Sequence, residues 1–253
     1  MCGIAGILCA EMSQENLAVT AEAMVSTLVH RGPDDSGIWL DAPSGMALGH
    51  RRLSIIDLSA AGHQPMISES GRFVISYNGE VYNHRELAQE LEAGGRIFRG
   101  HSDTEVILAS IETYGLVGAV ERFVGMFAFA LWDREQNELL LVRDRLGIKP
   151  LYWGRFGKLF LFGSELKALR ACTEWKPEVG RDAVAAFMRW NYVPAPQTIY
   201  RGISKLEPGH LLKVAPGKAP RIEKYWDPLA VAQSGIEGRL HMTDDDIMTS
   251  PSS

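Results

Sequence analysis

The chain has 253 residues, of which 46% are hydrophobic and 23% are charged, as in an ordinary soluble globular protein. A net charge of −5 and the lack of any run rich in Lys or Arg argue against nucleic acid and membranes as partners. Three cysteines without metal-ligand spacing predict free thiols rather than a disulfide framework or a zinc site. Since no secretory signal segment is recognisable either, we expect a cytoplasmic protein.

The first 165 residues predict an alternation of strands and helices. A buried strand is expected at 2–9, then a helix at 13–30 with Ser13 as its N-cap, then a loop at 31–37. Further strands are predicted at 37–40, 46–50, 53–58, 72–78, 125–133, 138–144, 151–154 and 159–164, and further helices at 84–95 and 102–115. Several of these strands lack a polar face, so we expect them to be covered on both sides, as in layered α/β sheets.

The last third of the chain has a different composition. Residues 190–228 are rich in Pro and Gly, which predicts a short β-meander or an extended connector. Residues 229–253 are polar, acidic and Ser-rich towards the end, so we expect this stretch to be flexible.

Cys2 is the first candidate for chemistry. Removal of Met1 would leave Cys2 with a free α-amine beside its thiol, and an amine with an ordinary pKa of about 7.7–8.0 can take up the thiol proton. A thiol attacks carbonyl groups only as the thiolate. The alternative is that Cys2 simply begins a buried strand as a small apolar residue.

Arg51 and Arg52 enter an apolar strand side by side. Successive side chains of a strand point to opposite faces, so one guanidinium can be buried at a pocket and hold a carboxylate with two hydrogen bonds. A surface salt bridge is the plainer alternative.

Asn78 and Gly79 follow a predicted strand. Their sequence favours a tight turn. It is also compatible with an oxyanion site built from the Asn78 amide and the Gly79 backbone N–H, with Glu80 beside it to hold a substrate cation.

Two further acidic positions remain open between structural and functional roles. Asp103 either caps a helix, as Ser102 also could, or faces a substrate ammonium group. In the loop at 30–37, Arg31 and Asp34 are expected to pair as part of the turn.

Seven stretches taken together resemble a known family. These are MCGIAGI, HRGPDDSG, HRRLSIIDLSAAGHQPM, NGEVYNH, SDTEVIL, GMFAFALWD and RDRLGIKPLYW, in this order. They resemble the class II glutamine amidotransferases, whose nucleophile is the N-terminal residue, and within them the glutaminase half of glutamine-hydrolysing asparagine synthetases. The resemblance extends over about residues 2–227.

The resemblance implies a function for each matched position. Cys2 would be the nucleophile with its own amine as base, and Asn78 and Gly79 would form the oxyanion hole. Arg52 would bind the glutamine α-carboxylate, and Glu80 and Asp103 would surround the α-ammonium group. The backbone of the strand after Arg52 would line the same pocket, at Leu53, Ser54, Ile55 and Ile56. No metal ligand is implied.

The resemblance also implies a fold and a division into domains. The fold would be α+β, an αββα sandwich of two antiparallel sheets of the N-terminal nucleophile hydrolase type. A glutamine amidotransferase type-2 domain would span residues 2–213. Residues 214–253 would form a connector towards a synthetase domain, followed by a flexible tail.

The implied reaction converts glutamine to glutamate and ammonia through a Cys2 thioester, as the ammonia-supplying part of an asparagine synthetase. The Ser-Gly-Gly-x-Asp-Ser pyrophosphate loop of the synthetase half is not found in these 253 residues. ATP and magnesium are therefore expected only with a separate synthetase domain or subunit, and a homodimer is left open. The alternatives are an amidotransferase subunit for another acceptor and a non-catalytic glutamine-binding remnant.

Overall fold

The computed structural model describes residues 1–54 and 62–237. Twelve strands and six helices are assigned within these ranges. The strands are β1 (Gly3–Leu8), β2 (Asp35–Asp41), β3 (Met46–Arg52), β4 (Met66–Ile67), β5 (Phe73–Val81), β6 (Gly125–Asp133), β7 (Glu138–Arg143), β8 (Tyr152–Phe156), β9 (Leu159–Gly163), β10 (Ile203–Lys205), β11 (His210–Val214) and β12 (Arg221–Lys224). The helices are α1 (Gln14–Ser26), α2 (His84–Ala93), α3 (Asp103–Arg122), α4 (Leu166–Arg170), α5 (Arg181–Trp190) and α6 (Pro228–Glu237).

The strands form two six-stranded sheets. The first has the order β10-β8-β9-β1-β3-β2 and the second the order β12-β11-β7-β6-β5-β4. Every strand pair is antiparallel. The fold is the predicted α+β sandwich of two antiparallel sheets.

Both faces of each sheet are covered, which explains the strands without a polar face. Ile4 and Leu48 of the first sheet pack against Trp132 of the second, while their neighbours face outward to the helices. On the outer face of the first sheet, Ile7 packs with Leu17 of α1. The second sheet is covered in the same way by α2 and α3. The prediction of two covered faces is thus confirmed, although the sheets are antiparallel and not of the layered α/β kind.

Buried polar contacts join the two sheets near the site described below. The His50 Nε2–H of β3 donates to the Tyr77 carbonyl of β5 at 2.9 Å, and the Ser76 hydroxyl donates to the Gly49 carbonyl at 2.9 Å. Burial lowers the pKa of His50 to about 4, against the opposing effect of its bond to Tyr77, so the imidazole is neutral at pH 7. These contacts fix the end of β3 relative to β5.

Several local predictions are corrected by the structure. Asn78 and Gly79 lie inside β5 and form no turn, because β5 continues to Val81 and pairs with β6 along its whole length. The Pro- and Gly-rich segment is no separate meander, since β10 joins the first sheet while β11 and β12 extend the second. The second sheet thus includes β12, which ends at Lys224. Residues 229–237, which begin the stretch expected to be flexible, belong to α6.

No helix among the described residues is long and apolar enough to cross a membrane.

Candidate active site

Cys2 lies immediately before β1, which is a central strand of the first sheet. Its sulfur contacts the backbone of Leu53, whose N–H donates to Sγ at 3.4 Å, while Sγ lies 3.8 Å from the Leu53 carbonyl oxygen. Because β1 and β3 are paired, the end of β3 is brought directly to the thiol. The thiol is half-buried and not enclosed in the apolar core.

The backbone of Cys2 is held by a charged side chain. The Arg31 Nε–H donates to the Cys2 carbonyl oxygen at 2.9 Å, and the Arg31 Nη1 donates to Glu165 Oε1 at 2.9 Å. The sequence-based pairing of Arg31 with Asp34 is therefore wrong. Asp34 instead accepts the N–H of Ser54 at 2.8 Å and so fixes the chain just after β3.

Glu165 lies at the centre of an outer charged cluster, which we define as Arg31, Glu165, His30 and Lys167. His30 and Arg31 both contact its Oε1 at 2.9 Å, and Lys167 lies 3.2 Å from its Oε2. Partial burial opposes ionisation of Glu165, but the hydrogen bonds from Arg31, His30 and Lys167 outweigh it and lower its pKa to about 2. Glu165 is therefore charged across the ordinary pH range.

The two adjacent arginines of β3 differ in burial, as their alternation predicts. Arg52 is buried and lines a cavity beside Cys2, whereas Arg51 is half-buried and does not line it. The Arg52 guanidinium lies directly against Gly62, where a Cβ atom would stand 2.1 Å from Nη2. Any larger residue at position 62 would therefore displace the guanidinium.

The second sheet contributes Asn78 and Gly79 to the same cavity. Asn78 is 1% exposed, and its Nδ2 has no hydrogen-bond partner among the described residues. A Cβ atom at Gly79 would lie 2.5 Å from the Met126 carbonyl oxygen, so the close approach of β6 requires glycine there. A buried amide donor without a partner is costly in a protein interior, and the cavity is where its partner would bind.

Asp103 is the first residue of α3 and turns towards β5. Its Oδ2 accepts the Tyr77 hydroxyl at 2.6 Å and the Val81 N–H at 3.1 Å. Ser102 is the N-cap, since its Oγ accepts the Thr104 N–H at 3.1 Å, so the capping alternative applies to Ser102 and not to Asp103. Burial raises the pKa of Asp103, and the hydrogen bonds from Tyr77 and Val81 only partly oppose this.

The cavity has a volume of about 150 Å³. It brings together seven of the predicted residues from both sheets and α3, namely Cys2, Arg52, Leu53, Asn78, Gly79, Glu80 and Asp103. Ser54 does not line it, and its N–H is bound to Asp34. Ile55 and Ile56 lie outside the described residues.

Sequence reasoning did not single out two polar residues that line the cavity. Gln64 bridges the sheet and α3, since its Oε1 accepts the Tyr77 N–H at 2.7 Å and its Nε2 donates to the Thr104 hydroxyl at 3.1 Å. Lys149 is 4% exposed and reaches the cavity from the loop after β7. A signal for Lys149 was present, because it lies in the stretch RDRLGIKPLYW, but nothing in that pattern shows where the side chain points.

The α-amine of Met1 stands beside this cavity. Burial lowers its pKa, Cys2 opposes the effect, and the nearby cations Arg31 and Lys149 lower the pKa further. An amine at this end of the chain is therefore biased towards its neutral form. No cluster of three or more His, Cys, Asp or Glu residues with metal-ligand geometry occurs in the described ranges 1–54 and 62–237.

Comparison with known proteins gives a consistent result. The model of the glutamine amidotransferase domain family matches residues 1–226. Glutamine-hydrolyzing asparagine synthetase 3 of Bacillus subtilis is 37% identical over 230 residues, which cover 90% of this chain and 37% of that relative. Amidase chry2 of Gibberella zeae is 36% identical over 209 residues, covering 81% of this chain and 30% of that protein. The chain thus spans about a third of the length of these relatives.

Solved structures support the fold. The glutamine phosphoribosylpyrophosphate amidotransferase of Bacillus subtilis, complexed with ADP and GMP, superposes with a TM-score of 0.65 at 20% identity. The match covers 88% of this chain and 49% of the other.

Proposed function

The chain belongs to the glutamine amidotransferase domain family, and on this premise we propose that it hydrolyses glutamine through a thioester on Cys2 and supplies the ammonia for asparagine synthesis. The observation that carries the proposal is one cavity lined by the Cys2 thiol, the Asn78 amide, Arg52 and Asp103. These groups come from four separate segments, and together they match the charges and the reactive carbonyl of glutamine.

Glutamine enters as a zwitterion, and its two charged ends need opposite partners. Arg52 offers a guanidinium to the α-carboxylate, and Asp103 with Glu80 offers carboxylates to the α-ammonium group. Asp103 is buried, and its hydrogen-bond donors are neutral groups. A bound ammonium group would therefore stabilise the charged form of this carboxylate against the cost of its burial. This clamp directs the side-chain amide towards Cys2.

The attack needs a thiolate and a proton acceptor. We propose that Met1 is removed and that the freed α-amine of Cys2 takes the thiol proton. An α-amine has an ordinary pKa of about 7.7–8.0, so a substantial part of it is neutral near pH 8 and can accept the thiol proton. The thiolate then forms a bond to the amide carbon of glutamine.

Negative charge develops on the amide oxygen during the attack. Asn78 Nδ2 and the Gly79 N–H are the proposed donors to this oxygen, and the unpartnered Asn78 amide supports the assignment. The protonated amine gives its proton to the leaving nitrogen, and ammonia departs. Water then attacks the γ-glutamyl thioester, so that glutamate is released and the thiol is regenerated.

The hydrolytic step as proposed uses no metal or nucleotide. ATP and magnesium would serve the activation of the acceptor, in a synthetase domain or a separate subunit. The names of the asparagine synthetase relatives favour aspartate as that acceptor. A relative named as an amidase favours, as a second candidate, an amidotransferase for another acceptor. A cytoplasmic location is proposed from the three free cysteines.

Glutamate release from glutamine tests the glutaminase activity. Cys2→Ala is expected to abolish it, while Cys9→Ala, which removes another partly exposed thiol outside the cavity, should retain it. Intact mass must show that Met1 is absent from the active protein. Equal rates for wild type and Cys2→Ala would refute the proposed mechanism, and binding of glutamine without turnover would identify a non-catalytic remnant.

The acceptor is tested separately. Ammonia produced by this chain should support asparagine formation when a synthetase partner, aspartate, ATP and magnesium are added. Transfer to a different acceptor under the same conditions would replace aspartate without affecting the glutaminase proposal.

A further inference from the structure

Lys149 is a largely buried cation to which the proposed mechanism assigns no contact with glutamine. It is 4% exposed, and its ammonium group forms no hydrogen bond or ion pair with any residue in the described part of the chain. The side chain lines the cavity that contains Cys2. Its ammonium group is open to the cavity and only partly solvated, so an anionic group at the cavity would stabilise it.

The loop that carries Lys149 is held firmly in place. Asp144 Oδ2 accepts the N–H groups of Lys149 and Phe127 at 3.0 and 3.2 Å, and its Oδ1 accepts those of Leu146 and Ile148. The Arg143 side chain donates to the Lys149 carbonyl oxygen at 2.8 Å. These hydrogen bonds fix the backbone at Lys149, so its side chain extends into the cavity from a well-held loop.

The charged and titratable groups that act on Lys149 come from four segments. Burial lowers its pKa, and the Arg31 cation lowers it further, whereas Asp144, Cys2 and Glu80 act in the opposite direction. Asp144 is already engaged by four backbone N–H groups. Of the groups that raise the pKa of Lys149, Glu80 and Cys2 line the cavity together with it.

We infer that Lys149 is an electrostatic positioning residue of the nucleophile, whose ammonium group stabilises the thiolate of Cys2 and the negative charge that forms beside it. The inference rests on the proposed role of Cys2 as nucleophile. The proposed clamp assigns Arg52 to the α-carboxylate and Asp103 with Glu80 to the α-ammonium group of glutamine, so Lys149 has no role at either charged end. A cation close to a thiol raises the thiolate fraction at neutral pH and so the rate of nucleophilic attack.

The test measures the thiol itself and does not depend on glutamine hydrolysis. The rate of alkylation of Cys2 by iodoacetamide is followed between pH 5 and 10 by mass spectrometry of the N-terminal peptide. Lys149→Met and Lys149→Gln remove the charge, and Lys149→Arg retains it. Lys158→Met is the matched control, because Lys158 is exposed, pairs with Glu11 and lies outside the cavity. Intact mass confirms the same N-terminus in every variant.

We expect the midpoint of the alkylation profile to rise by roughly 1 pH unit in the two uncharged variants, so that alkylation at pH 7 slows about tenfold. Lys149→Arg should remain close to wild type, and Lys158→Met should not differ from it. The kcat/KM for glutamine at pH 7 should fall in parallel with the alkylation rate.

An unchanged alkylation midpoint in either folded uncharged variant would overturn the inference. The same holds if the KM for glutamine rises while the midpoint is unchanged, because Lys149 would then bind substrate. If Cys2→Ala hydrolyses glutamine as fast as wild type, the proposed function fails. The alkylation profile still reports in that case whether Lys149 acts on the thiol.

Discussion

Glu165 and Asp103 are both carboxylates that accept hydrogen bonds near Cys2, yet their pKa values move in opposite directions. Glu165 is 26% exposed and is surrounded by His30, Arg31 and Lys167, and its pKa falls to about 2. Asp103 is 5% exposed, its donors are the neutral Tyr77 hydroxyl and the Val81 N–H, and its pKa is raised.

The difference separates a carboxylate whose cationic partners lie in the chain from one whose hydrogen-bond donors are neutral. In the outer charged cluster the Glu165 carboxylate is held by His30, Arg31 and Lys167, and Arg31 in turn holds the Cys2 carbonyl. In the cavity, the Asn78 amide has no partner among the described residues, and Asp103 lacks a hydrogen-bonded cation. The outer cluster therefore positions the backbone of Cys2, and the inner groups are those that we propose to bind glutamine.

The inner groups are tested most strongly by Asn78→Ala. Loss of one oxyanion donor is expected to lower kcat for glutamine hydrolysis by about 10²–10³ with little change in KM. The control is Asn83→Ala, whose amide bonds to the Arg122 carbonyl and lies outside the cavity. A kcat for Asn78→Ala within a factor of about three of wild type would rule out the proposed oxyanion role.

The outer cluster is tested by Glu165→Gln. The neutral amide cannot balance Arg31, His30 and Lys167, so the Arg31 guanidinium loses its anchor and the Cys2 backbone its fixed position. We expect kcat/KM to fall about tenfold, because small displacements of a nucleophile are costly.

The matched control is Glu178→Gln, which breaks an exposed ion pair with Arg201 and should leave the rate unchanged. The positioning role also predicts that Glu165→Gln changes kcat more than KM. A loss confined to KM would contradict it.

A smaller effect is expected from Tyr77→Phe. The hydroxyl opposes the effect of burial on Asp103, so its removal should raise the pKa of this carboxyl further. Asp103 must be ionised to hold the α-ammonium group, so binding is lost as the pH falls through its pKa. The rise of KM on acidification should therefore begin roughly 1 pH unit higher in the variant, with similar KM values at pH 8.

KM measured between pH 5 and 8 decides this point. Parallel KM profiles for wild type and Tyr77→Phe would show that Asp103 does not bind the ammonium group. A KM raised by the same factor at all pH values would indicate a packing effect instead.

The local patterns of the chain predicted much of the fold. Most strands and the helices α1, α2 and α3 were expected near their observed positions, because apolar periodicity and capping residues act over short distances. Ser13 and Ser102 are N-caps as predicted. The turn predicted at Asn78-Gly79 failed because pairing of β5 with β6 overrides the local preference of this dipeptide.

The site was harder to derive from residues alone. Cys2, Arg52, Asn78 and Asp103 each had a plain structural explanation, and their assembly was inferred from a resemblance to known proteins. The Arg31–Glu165 pair joins residues 134 positions apart, and no pattern in the sequence links them. Lys149 lies in one of the matched stretches, but no local pattern shows that its side chain reaches the cavity.

By itself, the sequence determined much of the alternation of strands and helices, the opposite orientation of the two adjacent arginines and the presence of a thiol at Cys2. These follow from side-chain volume, polarity and the two-residue period of a strand, which are local properties. Only the tertiary structure decided which charges meet. The pKa of a carboxylate depends on its burial and on partners from distant parts of the chain. Glu165 contacts Arg31 and Lys167, whereas Asp103 lines a cavity that a ligand cation can enter.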